Sequence, residues 1–162
     1  GAECWASRGG LHTVTGTQLS TSAPGSMNFG VWWDGDLLRE PLGSTIVQKW
    51  NPATSSMNNL LDLGAYGGAT NNGTKATPVL TADLFGDWRE EIVVRNSSNT
   101  ALLVFSTTIP TTTRITTLMH NPQYRSQVAG QNAGYNQPPN PSFYLGHGAT
   151  SFPQEPVQVT AQ

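Results

Sequence analysis

An internal repeat constrains this chain more than any other feature. Gly35-Asp36 and Gly86-Asp87 stand at an offset of 51 residues, and the same offset aligns Glu40 with Glu91. A period near 50 residues is built either from amphipathic helices or from about four short strands, and the residue pattern chooses between them. Pro, Gly and Asn recur too often for an apolar stripe at every third or fourth position to develop, so helical repeats are disfavoured. What remains is a series of short β-rich runs. In the first copy these are residues 31–33, 37–41 and 44–50, with 60–63 closing the sheet. In the second they are 78–84, 90–95 and 101–106, with the β-branched stretch 111–118 as a fourth strand. Tight turns are expected at Asp34-Gly35 and Leu42-Gly43, and residues 96–100 (NSSNT) read as a polar hairpin loop.

The expectation is therefore an all-β fold, a partial β-propeller of two to three four-stranded antiparallel blades with a long irregular C-terminal segment. Residues 1–26 read as an incomplete blade piece, 27–70 and 71–119 as blades, and 120–162 as the irregular segment, rich in Pro, Asn, Gln and aromatic residues. A propeller ring needs ~4 to 8 blades, so a chain of 162 residues reads as a portion of a larger ring.

A formal net charge of −2 with 11% charged residues leaves no basic field, which argues against nucleic-acid and membrane-surface partners. Cys4 is the only cysteine, so it cannot form an intrachain disulfide, and it reads as a small buried hydrophobe. No apolar run approaches the ~20 residues needed to cross a bilayer.

The repeated acidic loops carry the clearest chemistry. In residues 83–91 (DLFGDWREE), Asp83, Asp87 and Glu91 recur at every fourth position, and Gly86 permits the sharp turn between them. A curled loop of this kind can direct several oxygens at a hard cation that takes six to eight, which points to Ca2+. Phe85 and Arg89 would contribute through their backbone carbonyls. The earlier copy offers Asp34, Asp36 and Glu40 but has Trp32 where Asp83 would align, and is expected to be the weaker site. The alternative is that these acids cap turns or pair with Arg39, Arg89 and Arg95.

Five segments in order, residues 28–40 (NFGVWWDGDLLRE), 72–78 (NGTKATP), 82–93 (ADLFGDWREEIV), 117–125 (TLMHNPQYR) and 131–146 (QNAGYNQPPNPSFYLG), resemble the rhamnogalacturonan lyases of polysaccharide lyase family 11. The resemblance spans nearly the whole chain, and the last segment is its most specific signal. It implies an eight-bladed, calcium-binding propeller that cleaves the rhamnose to galacturonate linkage of rhamnogalacturonan I by β-elimination. It also implies an extracellular, secreted enzyme whose remaining blades lie elsewhere in a longer chain. Where the family pattern leads us to expect Asp, this sequence has Asn121.

Carried over by the resemblance, the substrate-site residues are Asn72, Gly73, Thr74 and Lys75 in one loop, with Asn132, Ala133, Gly134 and Tyr135 in the other. Lys75 and Tyr135 are the catalytic candidates. Lys75 would serve as base, which asks for a depressed pKa, or as partner of the uronate carboxylate; Tyr135 would stack on the sugar or pass a proton. Asn72, Thr74 and Asn132 would hydrogen-bond sugar hydroxyls, Gly73 and Gly134 would let the backbone approach, and Arg125 is a secondary carboxylate binder. A second reading is a non-catalytic carbohydrate-binding or structural calcium-binding fragment.

Overall fold

The computed structural model describes residues 3–6, 8–25 and 28–156. Among the described residues, eleven short strands form three sheets. The first holds β1 (Glu3–Trp5), β2 (Leu11–Thr13) and β3 (Gln18–Ser20) in that order. The second is an antiparallel meander of β4 (Gly30–Val31), β5 (Glu40–Gly43), β6 (Ile46–Asn51) and β7 (Ser56–Asp62). In the third, β10 (Glu91–Asn96) pairs with β11 (Leu102–Phe105) on one side. On its other side it meets β9 (Leu80–Ala82) and then β8 (Gly68–Ala69), each over part of its length.

Period-two alternation decides which side chains meet. Val31 and Trp33 point to one face with Leu42 and Val47, where they meet Ile92 and Val94 of the third sheet and Phe29 and Leu63. The intervening Trp32 points the other way, into a second core of Trp88, Leu118, Tyr124 and Leu145. Each fully buried Val, Leu or Ile contributes ~1.5–3 kcal/mol, so the first core binds the second and third sheets together as one unit. The second core fastens the C-terminal segment to that unit.

The hairpin over residues 96–100 forms as expected. Asn96 accepts from the amides of Thr100 and Ala101 at 2.8 and 3.2 Å, and Asn99 takes a left-handed φ of 58°. The β5–β6 turn falls at Ser44-Thr45, two residues beyond the expected position, with Ser44 at φ 57° and Gly43 inside the strand.

Three expectations are corrected. Residues 111–118 form no strand, because the groups that would pair with a neighbour are taken locally or by loops. Thr111 donates through Oγ1 to Gly35 O (2.8 Å) and accepts there from Thr113 N (3.2 Å), while Trp88 Nε1 donates to Thr113 O (3.3 Å). The C-terminal segment is not wholly irregular: a 3-10 turn (Leu118–His120) leads into helix α1 (Pro122–Gly130). Asn121 caps that helix, accepting from Tyr124 N at 3.1 Å, and Pro122 occupies the first turn, where its missing N–H costs nothing. Cys4 is exposed rather than buried, since β1 is the edge strand of the first sheet.

Candidate functional site

Two loops meet at the outer edge of β9. The first, residues 71–78, is closed on itself. Asn72 Oδ1 accepts from the amides of Lys75 (2.7 Å) and Ala76 (2.9 Å), and Asn71 N donates to Thr77 O (2.9 Å). Ala76 sits at φ 51° so that the chain can turn back into the strand. Asn28 adds a side-chain bond to the Lys75 carbonyl. The second loop, residues 131–136, brings Tyr135 above this turn. Lys75 Nζ lies 5.7 Å from the centroid of the Tyr135 ring and donates to the Asn136 carbonyl at 2.6 Å. That distance lies within the range over which an aromatic face attracts a cation. Tyr135 is 88% exposed, so the pair faces solvent and can reach a ligand from outside.

The other residues expected here divide. Thr74 is exposed, and a side chain added at Gly73 or Gly134 would meet nothing within 4 Å, leaving open space over both backbones. Ala133 is exposed beside them. Asn132 is tied to the protein, donating to Val79 O and accepting from Asn71 Nδ2 at 3.3 Å with a φ of 63°. Asn72 is likewise spent on its own turn. Arg125 projects from α1 and donates to Met119 O at 2.8 Å. A cavity of about 570 Å³ lies elsewhere, lined by Trp5, Trp50, Tyr144 and Leu145, and neither Lys75 nor Tyr135 borders it.

The two acidic loops share one backbone arrangement. Glu40 Oε2 accepts from the amides of Trp33 and Asp34 at 2.9 and 3.4 Å, and Glu91 Oε2 from Leu84 and Phe85 at 2.8 and 3.1 Å. Asp36 Oδ1 caps Leu38 N at 2.7 Å as Asp87 Oδ1 caps Arg89 N at 3.1 Å. Every one of these pairs sits at the repeat offset. The loops differ in what fills them. Asp34, Asp36 and Glu40 bring one carboxylate oxygen each to within 4.8 Å of the others, and Lys49 of β6 places its ammonium among all three. Burial, then Asp34, pushes the Glu40 carboxyl up to about 7. Burial works to lower Lys49, but its bonds to Asp34 and Asp36 outweigh that and raise it.

In the second loop the carboxylates are turned to separate partners. Asp83 accepts from Gly86 N (2.8 Å), Thr117 Oγ1 (2.7 Å) and Leu118 N (2.7 Å). Asp87 pairs with Arg89, which also reaches Ile109 O, and Glu91 accepts from Ser106 Oγ at 3.0 Å. Phe85 is 68% exposed. Among the described residues the only cluster of three potential ligands is the Asp34, Asp36, Glu40 trio, the copy expected to be weaker. Its all-oxygen donors suit a hard cation, and a divalent ion there would have to displace the Lys49 ammonium.

Sequence reasoning passed over the group that locks the architecture. Glu90 is fully buried and accepts from Trp32 N (3.0 Å), Tyr124 OH (2.7 Å) and Arg39 (3.2 Å). Burial raises its pKa despite the Arg39 charge, and burial followed by the Glu90 charge raises that of Tyr124. Arg39 lies 3.9 Å over the Trp32 ring and also holds Pro139 O (2.6 Å) and Asn140 Oδ1 (2.8 Å). A signal existed: Arg39 and Glu90 are 51 residues apart, opposite charges at equivalent points of the repeat. Asn121, which replaces an expected Asp, is spent on the helix cap and on Ser142, its Nδ2 donating to Ser142 Oγ at 2.7 Å.

These features define an all-β module of repeated acidic loops that presents a lysine and a tyrosine together on its surface. Residues 1–156 match the model of the rhamnogalacturonan lyase family 11 C-terminal domain, and the chain belongs to that family. It is 51% identical over 154 residues to the rhamnogalacturonan endolyase YesW of Bacillus subtilis, covering 95% of this chain and 24% of that protein. To the rhamnogalacturonan exolyase YesX of the same organism it is 43% identical over 158 residues, covering 93% of this chain and 26% of that one. The solved structure of a Bacillus licheniformis rhamnogalacturonan lyase superimposes with a TM-score of 0.87 at 50% identity, over 95% of this chain and 26% of that one. The chain thus spans about a quarter of the length of these relatives.

Proposed function

We propose that the chain is the C-terminal portion of a secreted rhamnogalacturonan lyase that cleaves rhamnogalacturonan I by β-elimination. It contributes residues 27–70 and 71–119 as blades of a calcium-binding β-propeller, with β8 crossing over to pair in the second blade's sheet, residues 1–26 as part of another, and residues 120–162 as the segment that closes the substrate site. The observation that carries this reading is the convergence of Lys75 and Tyr135 from two separate loops, joined through the Tyr135 ring and the Asn136 carbonyl, which lies 61 positions from Lys75. Blades from the rest of the ring supply the opposite wall of the cleft.

The reaction removes a proton from C5 of the galacturonate, expels the C4 oxygen, and leaves a C4–C5 double bond. The C5 proton is acidic only when the carboxylate beside it is neutralised, and the leaving oxygen needs a proton. Lys75 is the group at this edge that can meet the carboxylate or take the proton, held in place by the Asn136 carbonyl. Tyr135, exposed beside the lysine, would stack on the sugar or deliver a proton. Thr74, Gly73, Ala133 and Gly134 are exposed in the same two loops and would leave room for the sugar, Asn72 and Asn132 fix the loops, and Arg125 would be a further carboxylate partner. Asp34, Asp36 and Glu40 would hold calcium in exchange for the Lys49 ammonium, which would fix that loop; at the second loop Asp83, Asp87 and Glu91, with the Phe85 and Arg89 carbonyls, would hold it only after releasing their present partners.

Replacing Lys75 with Ala in the full-length enzyme tests the assignment. Release of unsaturated product from rhamnogalacturonan I should vanish while calcium binding persists; retained turnover removes Lys75 from the mechanism. The chain's share of its relatives' length favours a second reading, a fragment that binds sugar and calcium without catalysis. Turnover by the isolated chain would rule that out.

A further inference from the structure

The outer edge of β9 is covered by side chains, not by a strand. Thr81 pairs with Ile92 of β10 on one side and turns its own N–H and C=O outward on the other. Gln131 answers both groups: its Oε1 accepts from Thr81 N at 2.9 Å, and its Nε2 donates to Thr81 O at 2.6 Å. An extended partner residue in a sheet would exchange the same two bonds, so the primary amide stands in for one residue of a missing strand. The mimicry continues along the edge. Asn132 donates to Val79 O, and the buried Asn136 donates through Nδ2 to Pro78 O at 3.0 Å.

These amides lie on both sides of Tyr135. Its loop has no regular structure of its own beyond the turn in which Ala133 N meets Gly130 O at 3.1 Å, so its place over Lys75 depends on the docking bonds. Gln131 supplies the only paired exchange among them, the one contact that fixes the loop's register as well as its distance. A single-bond tether can pivot, whereas two antiparallel bonds to one peptide unit cannot without breaking one.

We infer that Gln131 is a positioning residue, its amide registering the Tyr135 loop on the free edge of β9 so that Tyr135 is held over Lys75. This rests on the reading of Lys75 and Tyr135 as the reacting pair. Misplacement of a reacting group by about 1 Å costs up to about 100-fold in rate, so the amide can matter to turnover without touching substrate.

The test is a double-mutant cycle in the full-length enzyme on rhamnogalacturonan I, with Gln131→Ala, Gln131→Glu, Tyr135→Phe, and each Gln131 variant combined with Tyr135→Phe. Gln131→Ala should lower kcat by about 10- to 100-fold with KM changed less than about threefold. Gln131→Glu, which keeps the acceptor and loses the donor to Thr81 O, should fall comparably. In the Tyr135→Phe background either change should cost less than about threefold more, because the group they position is already disabled. Hydrogen exchange should show faster exchange at the Thr81 amide in Gln131→Ala, with β10 and β11 unchanged. Unaltered kcat in Gln131→Ala, or the same factor lost in both backgrounds, overturns the positioning claim. Wild-type turnover in Lys75→Ala and Tyr135→Phe overturns the underlying reading instead, so the two failures are distinct.

Discussion

Replacing Tyr124 with Phe deletes one oxygen from a side chain that is fully buried. That oxygen donates to Glu90 Oε1 at 2.7 Å and accepts from Asp83 N at 3.0 Å. Phe preserves the ring and its packing against Trp32, Trp88, Leu118 and Leu145, so the transfer term is small. The loss is electrostatic. A hydrogen bond to a charged acceptor contributes ~1.5–3 kcal/mol, and a buried amide left without a partner costs ~1–3 kcal/mol. Because Glu90 keeps Trp32 N and Arg39, and both groups relax together, the expected loss is about 3 kcal/mol. For a chain of this size that lowers Tm by roughly 6–12 °C. Urea unfolding followed by tryptophan fluorescence measures it, with the slope m unchanged. A loss under about 1 kcal/mol, or an equal loss when Glu90 is already Gln, would refute the idea that this hydroxyl bridges the Glu90 carboxylate and the Asp83 backbone amide.

Two other predictions concern the first acidic loop. Glu40 has a folded-state pKa raised from 4.5 to about 7, so the folded form holds its proton more tightly, and the stabilisation present below pH 4.5 is lost as pH rises through about 7. In calcium-free buffer the wild type should therefore lose about 3 kcal/mol relative to Glu40→Gln across that window by chemical denaturation; parallel pH curves for the two proteins would contradict it. Replacing Lys49 with Met removes the ammonium that competes for Asp34, Asp36 and Glu40, and should tighten calcium binding by roughly tenfold in isothermal titration calorimetry, whereas unchanged or weaker binding would dissociate the trio from calcium.

The repeat was legible because its physics is local. Glu40 and Glu91 each return to the amides six and seven residues before them, a geometry written in the spacing Asp-Gly-Asp or Phe-Gly-Asp to Glu. The β-branched character of residues 111–118 misled because those hydroxyls and carbonyls serve loops such as Gly35 and Trp88, and propensity yields to such tertiary demands. Helix α1 escaped notice since Tyr124 is its single buried residue, leaving no apolar stripe to detect; only the Asn121-Pro122 cap announced it. Lys49 reaches the acidic trio from the neighbouring hairpin, 9 to 15 residues away, where no local pattern points to it. Lys75 and Tyr135 are a different case. Spacing alone gave no reason to join them, and their meeting follows from side-chain amides grasping one strand edge, which a one-dimensional pattern does not encode.

The most direct test is a crystal structure of the full-length protein with a rhamnogalacturonan oligosaccharide bound. One galacturonate should lie within hydrogen-bond reach of both Lys75 Nζ and Tyr135 Oη. A sugar bound away from that edge, with either side chain out of contact, would contradict the account.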